Sequence, residues 1–120
     1  MAQILTVDDS VSIRQMLEVT LTAAGHEVIQ ASDGLEGLVK AKGLDFRLVI
    51  TDLHMPKMNG IALIRELRKL PSYRFTPILI LTTEAAVAMK AEGKQAGATG
   101  WLVKPFDPDQ LLATVDRVVL

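Results

Sequence analysis

A chain of 120 residues, 49% hydrophobic and 22% charged, carries enough apolar material for one packed domain and too little length for two. Thirteen basic against 14 acidic side chains leave a net charge of −1, which excludes capture of nucleic acid or an anionic membrane by bulk charge. With no cysteine there is no disulfide, no thiolate metal site and no thiol catalysis. The opening MAQILTVDDS lacks the basic and long apolar stretches of a signal peptide. No apolar run nears the roughly 18 residues that span a bilayer. One domain over 1–120, cytoplasmic, without membrane insertion or direct nucleic-acid contact, is expected.

The first strand is predicted at Ile4–Val7, a continuous apolar run of the kind a parallel strand buried on both faces requires. Ser12 and Gln15 then have capping-box spacing, and Ile13, Met16, Leu17, Thr20 and Leu21 form a stripe that Gly25 stops. Glu27–Gln30 reads as a weaker edge strand. Asp33 and Glu36 repeat the start signal ahead of Leu35, Leu38 and Val39. Leu48–Thr51 is the next strand, followed by a helix with Ile61, Ile64, Leu67 and Leu70 on one face and Pro71 at its end. The segment LPSYRFT (70 to 76) is the loosest of the chain. A strand at Ile78–Leu81 leads to an alanine-rich helix that Thr83 would cap, running to about Gln95 with Gly97 beyond it. After the strand Trp101–Val103, Asp107 and Pro108 start a last helix with Leu111, Leu112, Val115 and Val119 facing inward.

Five strand–helix repeats define an α/β domain with a doubly wound parallel sheet, helices on both faces and right-handed crossovers. The strong strands end in polar residues that a core does not need: Asp8-Asp9, Asp52, Thr82-Thr83 and Lys104-Pro105. In such sheets these ends share one rim, and ligands bind where the strand order reverses. The common five-strand order, 2-1-3-4-5, is borrowed from known flavodoxin-like sheets; it puts the break between the strands that carry Asp8, Asp9 and Asp52. Three carboxylates in one crevice repel one another unless a cation is present. All-oxygen ligands favour a hard ion such as Mg²⁺, which prefers one or two carboxylates plus phosphate oxygens. Lys104 supplies a positive charge for such oxygens and Thr82 a hydroxyl donor, leaving one Asp free to act as nucleophile.

The segments VDDS (7 to 10), TDLHMPKMNG (51 to 60), ILTTEA (80 to 85) and GATGWLVKPF (97 to 106), in this order, resemble the receiver domain of two-component response regulators, the stand-alone CheY-like type most closely. The resemblance spans essentially the whole chain. It implies Asp52 as phosphoacceptor, Asp9 as direct Mg²⁺ ligand with Asp8 acting largely through water, and the His54 carbonyl completing the set. It further implies Lys104 as the phosphate-binding lysine before a cis proline, and Thr82 as the hydroxyl that moves to the phosphoryl group. Trp101 takes the place of the aromatic residue, often Tyr or Phe, that turns inward when Thr82 moves. His54 and Glu84 lie at variable family positions that tune the lifetime of the phosphorylated state. The implied partners are a sensor histidine kinase or phosphotransfer protein, and a downstream target on the last two helices and fifth strand, including Ala86, Met89, Lys90, Trp101 and Leu102. The only catalysis implied is of its own phosphorylation and dephosphorylation, in chemotaxis or a related pathway.

Singly, these residues have plainer readings. Asp8 or Asp9 could cap a helix, Asp52 could be a turn residue, Lys104 a solvated cation and Trp101 a partly buried filler of the sheet edge. Asp107 is read as a cap only, and His26 as an exposed turn residue. A haloacid-dehalogenase-like phosphotransferase would carry D-x-D on its first strand, where this chain has D-D-S. A flavodoxin-like electron carrier would need a Ser/Thr/Gly-rich loop after the first strand, and a nucleotide site a P-loop or G-x-G-x-x-G. The alternative within the family is a receiver excised from a larger regulator or hybrid kinase.

Overall fold

The computed structural model describes residues 2–83 and 87–119. Five parallel strands alternate with helices: β1 (Gln3–Val7), α1 (Val11–Ala23), β2 (Glu27–Ala31), α2 (Gly34–Gly43), β3 (Leu48–Thr51), α3 (Gly60–Lys69), β4 (Ile78–Thr82), α4 (Val87–Ala96), β5 (Gly100–Val103) and α5 (Pro108–Val118). The sheet order is β2-β1-β3-β4-β5, the doubly wound, flavodoxin-like arrangement expected. Alternation along each strand divides the core in two. Leu5, Val7, Val49, Ile78 and Ile80 pack toward α2 and α3, while Ile4, Leu48, Ile50, Leu79 and Leu81 pack toward α1 and α5. Each fully buried Leu or Ile contributes about 1.5–3 kcal/mol relative to exposure.

Several helix details differ from expectation. Ser10, not Ser12, caps α1: its Oγ accepts from the Ile13 amide at 3.3 Å, because the helix begins directly after the turn that holds Asp8 and Asp9. Met16 is 47% exposed, so the buried stripe of α1 narrows to Leu17 and Leu21. On α2, Leu35 and Val39 point outward and the buried face is Gly34, Gly37, Leu38 and Ala41. Small residues there bring the helix close to the sheet; a Cβ on Gly37 would lie 3.0 Å from Val7 Cγ2. The α2 start is as predicted, with Asp33 Oδ1 accepting from the Glu36 amide at 2.8 Å. Asp107 caps α5 through the Asp109 amide, and Leu111 and Val115 are fully buried while Leu112 and Val119 are half-buried. His26 is half-buried, its Nδ1 accepting from the Ala2 amide at 3.1 Å, which ties the start of β1 to the loop before β2. Residues 84–86, which follow the cap expected at Thr83 and include Glu84 and Ala86, lie outside the described residues.

The segment read as loosest is an organised joint. Pro71–Tyr73 forms a short 3-10 helix, and Tyr73 is 1% exposed. Its hydroxyl lies 2.7 Å from the Ala41 carbonyl and 2.6 Å from the Leu44 carbonyl, sharing one proton between them, and accepts from the Phe46 amide at 3.3 Å. Arg68 closes the joint from α3, donating to the Tyr73, Thr76 and Gly97 carbonyls at 2.6–3.1 Å. Tyr73→Phe removes the hydroxyl, strands the buried Phe46 amide and takes one partner from the Ala41 carbonyl. The expected loss is about 2 kcal/mol, read as a lower urea midpoint with unchanged slope.

Candidate functional site

The register of the three central strands brings the acidic residues together. Val7 pairs with Thr51 across β1 and β3, so Asp8 and Asp52 are the next residues past two adjacent strand ends. The Asp52 amide donates to the Val7 carbonyl at 2.8 Å, prolonging the ladder into the site. Carboxylate oxygens of Asp8, Asp9 and Asp52 all lie within 4.8 Å of one another. Asp8 and Asp52 are 1% and 7% exposed, whereas Asp9 is open to solvent. Lys104, joined to Pro105 by a cis peptide bond as expected, reaches in from the end of β5 across β4. Its Nζ stands 2.7 Å from Asp8 Oδ2 and 3.4 Å from Asp52 Oδ2. Its amide donates to the Thr82 carbonyl at 2.9 Å, fixing the base of the side chain beside Thr82, which is 1% exposed at the end of β4.

Three carboxylates therefore face one ammonium. Burial, and next the Asp8 charge, push the Asp52 carboxyl above its ordinary range, against the opposing pull of Lys104 and of the Leu53 amide at 2.8 Å. Asp8 Oδ1 is satisfied by the Ser10 amide at 2.9 Å. Asp8 Oδ2 is buried and has the Lys104 ammonium, 2.7 Å away, as its one recorded partner among the described residues, which leaves it lone pairs to spare. A buried carboxylate oxygen with spare lone pairs, two further carboxylates within reach and no nitrogen or sulfur donor fit a hard divalent cation.

The remaining predicted residues sit around this centre. His54 is exposed on the loop after β3. Trp101 on β5 is half-buried against the core, close to Gly93 of α4. A Cβ on Gly93 would lie 3.2 Å from Trp101 Cζ3 and 2.7 Å from Ile80 Cδ1, so the glycine makes room for the indole. A cavity of about 280 Å³ lined by Lys90, Lys94, Thr99 and Trp101 lies on this α4–β5 side, away from the acidic cluster. Met89 is half-buried and Lys90 exposed, but Leu102, expected on the output surface, is 7% exposed and packs in the α1–α5 half of the core. Strand alternation turns Val103 outward in its place, 44% exposed. Glu84 and Ala86 lie outside the described residues.

Three features carried no signal in the sequence. Gly34 lets the start of α2 touch the Met58 backbone, docking the β3–α3 loop, where Lys57 adopts a φ of 68° and lies 3.9 Å from Asp33. Gly93 accommodates Trp101. Arg14, one turn into α1, donates to the Asp8 carbonyl at 2.6 Å.

Residues 4–116 match the response regulator receiver domain, and the chain belongs to that family of two-component signalling. A chemotaxis protein CheY homologue of Campylobacter jejuni is 36% identical over 119 residues, covering 98% of this chain and 92% of the relative. The chemotaxis protein CheY4 of Vibrio cholerae has a solved structure that is 53% identical, with a TM-score of 0.95 and 98% of both chains covered. A probable transcriptional regulator, ycf27, of Porphyridium aerugineum is 40% identical over 117 residues, but this chain spans about half of its length, 48%.

Proposed function

We propose that the chain takes a phosphoryl group onto Asp52 from a sensor-kinase or phosphotransfer-protein histidine, and signals through the α4–β5–α5 face. The observation that carries this reading is the convergence of Asp8, Asp9, Asp52 and Lys104 on one rim, with Lys104 Nζ 3.4 Å from Asp52 Oδ2. The Leu53 amide holds Asp52 Oδ1, which leaves Oδ2 as the attacking oxygen. A bond forms from Oδ2 to phosphorus as the bond to the donor breaks in line; a phosphohistidine donor departs as neutral imidazole, and acetyl phosphate in its place departs as acetate. Lys104 meets the phosphoryl oxygens with a fixed charge, and the Thr82 hydroxyl donates to one of them. Asp8, Asp9, Asp52 and the His54 carbonyl would hold Mg²⁺, which supplies charge neutralisation for the transferring group. Water attack on phosphorus returns the carboxylate and inorganic phosphate, at a rate that His54 and Glu84 would tune. Movement of Thr82 toward the phosphoryl group, with Trp101 turning inward past Gly93, would bias the surface around Met89, Lys90 and Trp101.

A chemotaxis context is supported by the similarity to proteins of that name over nearly their whole length. The second reading, a receiver that belongs to a larger regulator, is supported by the ycf27 relatives, of which the chain spans about half.

The test is incubation with acetyl phosphate in Mg²⁺ or in EDTA, followed by intact mass. Incorporation with Mg²⁺ and at least tenfold less in EDTA is expected. Equal incorporation in EDTA would remove the cation from the account. No incorporation from acetyl phosphate or from a phosphorylated kinase, into protein shown to be folded, would remove the phosphoryl chemistry.

A further inference from the structure

We infer that Arg14 is a positioning residue for the cation site: its guanidinium locks the peptide that joins Asp8 to Asp9, and so sets the affinity for a divalent ion. The inference rests on the proposed cation site and adds a residue to it. Two polar atoms of Asp8 are held by backbone. Its amide donates to the Ala31 carbonyl at 3.1 Å, and its Oδ1 accepts from the Ser10 amide at 2.9 Å. Its carbonyl is held by a side chain, accepting from Arg14 Nη1 at 2.6 Å. Arg14 is itself braced, with Nε donating to Gln30 Oε1 on β2 at 3.1 Å and its amide donating to the Ser10 carbonyl at 3.1 Å. The guanidinium thus spans α1, the edge strand and the end of β1.

The Asp8 carbonyl and the Asp9 amide are two ends of one planar unit. Fixing the carbonyl direction fixes the plane from which Asp9, the solvent-open member of the cluster, projects. A planar fork can grip the Asp8 carbonyl and Gln30 together, whereas a lysine offers one point of contact. Outer partners of metal ligands typically change metal affinity by about 10- to 100-fold when removed. The electrostatic expectation has the opposite sign. A positive charge beside a cation site repels the ion, so charge alone predicts that neutralising Arg14 tightens binding. The direction of the change therefore separates positioning from mere charge.

The experiment compares the full chain with its Arg14→Met and Arg14→Lys variants by titrating Mg²⁺ against backbone amide shifts in NMR. Acetyl phosphate incorporation is followed over the same Mg²⁺ range, and urea unfolding in EDTA checks folding. Arg14→Met is expected to raise the Mg²⁺ dissociation constant about tenfold, with the incorporation rate at saturating Mg²⁺ within about twofold of the parent. Arg14→Lys, which keeps the charge and a single donor nitrogen, is expected to recover part of the loss. A folded Arg14→Met that binds Mg²⁺ as tightly as the parent, or more tightly, overturns the positioning role while leaving the acidic site intact. A parent chain that binds no Mg²⁺ overturns the cation site, and this role with it.

Discussion

Asp52→Asn is expected to abolish incorporation from acetyl phosphate in saturating Mg²⁺ and, in EDTA at neutral pH, to raise the unfolding midpoint. The two effects have one origin. The carboxyl is buried beside Asp8, which lifts its folded-state pKa above the ordinary 3.8. Between those two values the folded chain binds more protons than the unfolded one, so stability falls as pH rises through the window. Above the window the full penalty of an ionised, crowded carboxylate remains. Asn removes that charge along with the proposed nucleophile. Denaturation of both proteins in EDTA from about pH 4 upward should show the variant gaining on the parent as pH rises, then holding its advantage. Mg²⁺ should close the gap by stabilising the parent more. A variant that still incorporates phosphoryl groups, or a parent that gains stability through that pH window relative to the variant, would contradict the assignment.

Gly60→Ala is expected to cost about 3 kcal/mol and to disturb Asp52 directly. Gly60 opens α3, its amide donates to the Leu53 carbonyl at 2.9 Å, and a Cβ there would overlap the Asp52 carbonyl. It would also stand 3.1 Å from Leu53 Cα. These are backbone atoms and cannot swing aside, so either α3 or Asp52, the proposed phosphoacceptor, must move. Urea unfolding gives the stability loss, and the Mg²⁺ shift in midpoint reports damage to the site. Gly43→Ala is the matched control, since a Cβ there meets nothing within 4 Å, and helix propensity favours it by up to about 1 kcal/mol. Similar midpoints for the two variants would contradict the close approach.

The strand ends were legible because polar residues directly after buried apolar runs stand out. Asp8, Asp52 and Lys104 each follow such a run, and the register then places them together. The borrowed strand order supplied what apolar patterning cannot, namely which ends are neighbours. Periodicity misled in part on α2, where Leu35 and Val39 are large but outward and the buried face joins Leu38 to two glycines and an alanine. Such a face is selected by close approach to Val7, which a count of large apolar residues does not register. Tyr73 was unreadable for a related reason. Its partners Ala41, Leu44 and Phe46 are remote in sequence, and its neighbours look like loop. Arg14 contacts a carbonyl and an edge-strand side chain, so no spacing rule could have paired it with Asp8.

The central claim is that one carboxylate, Asp52, receives the phosphoryl group while its two acidic neighbours do not. Borohydride reduction of the phosphorylated chain followed by peptide mapping tests it most directly, because an acyl phosphate is reduced to the alcohol where a free carboxylate is not. Homoserine at position 52, with aspartate intact at positions 8 and 9, is the predicted result. Homoserine at 8 or 9 in place of 52, or phosphorylated protein with no reduced aspartate at all, would contradict the account.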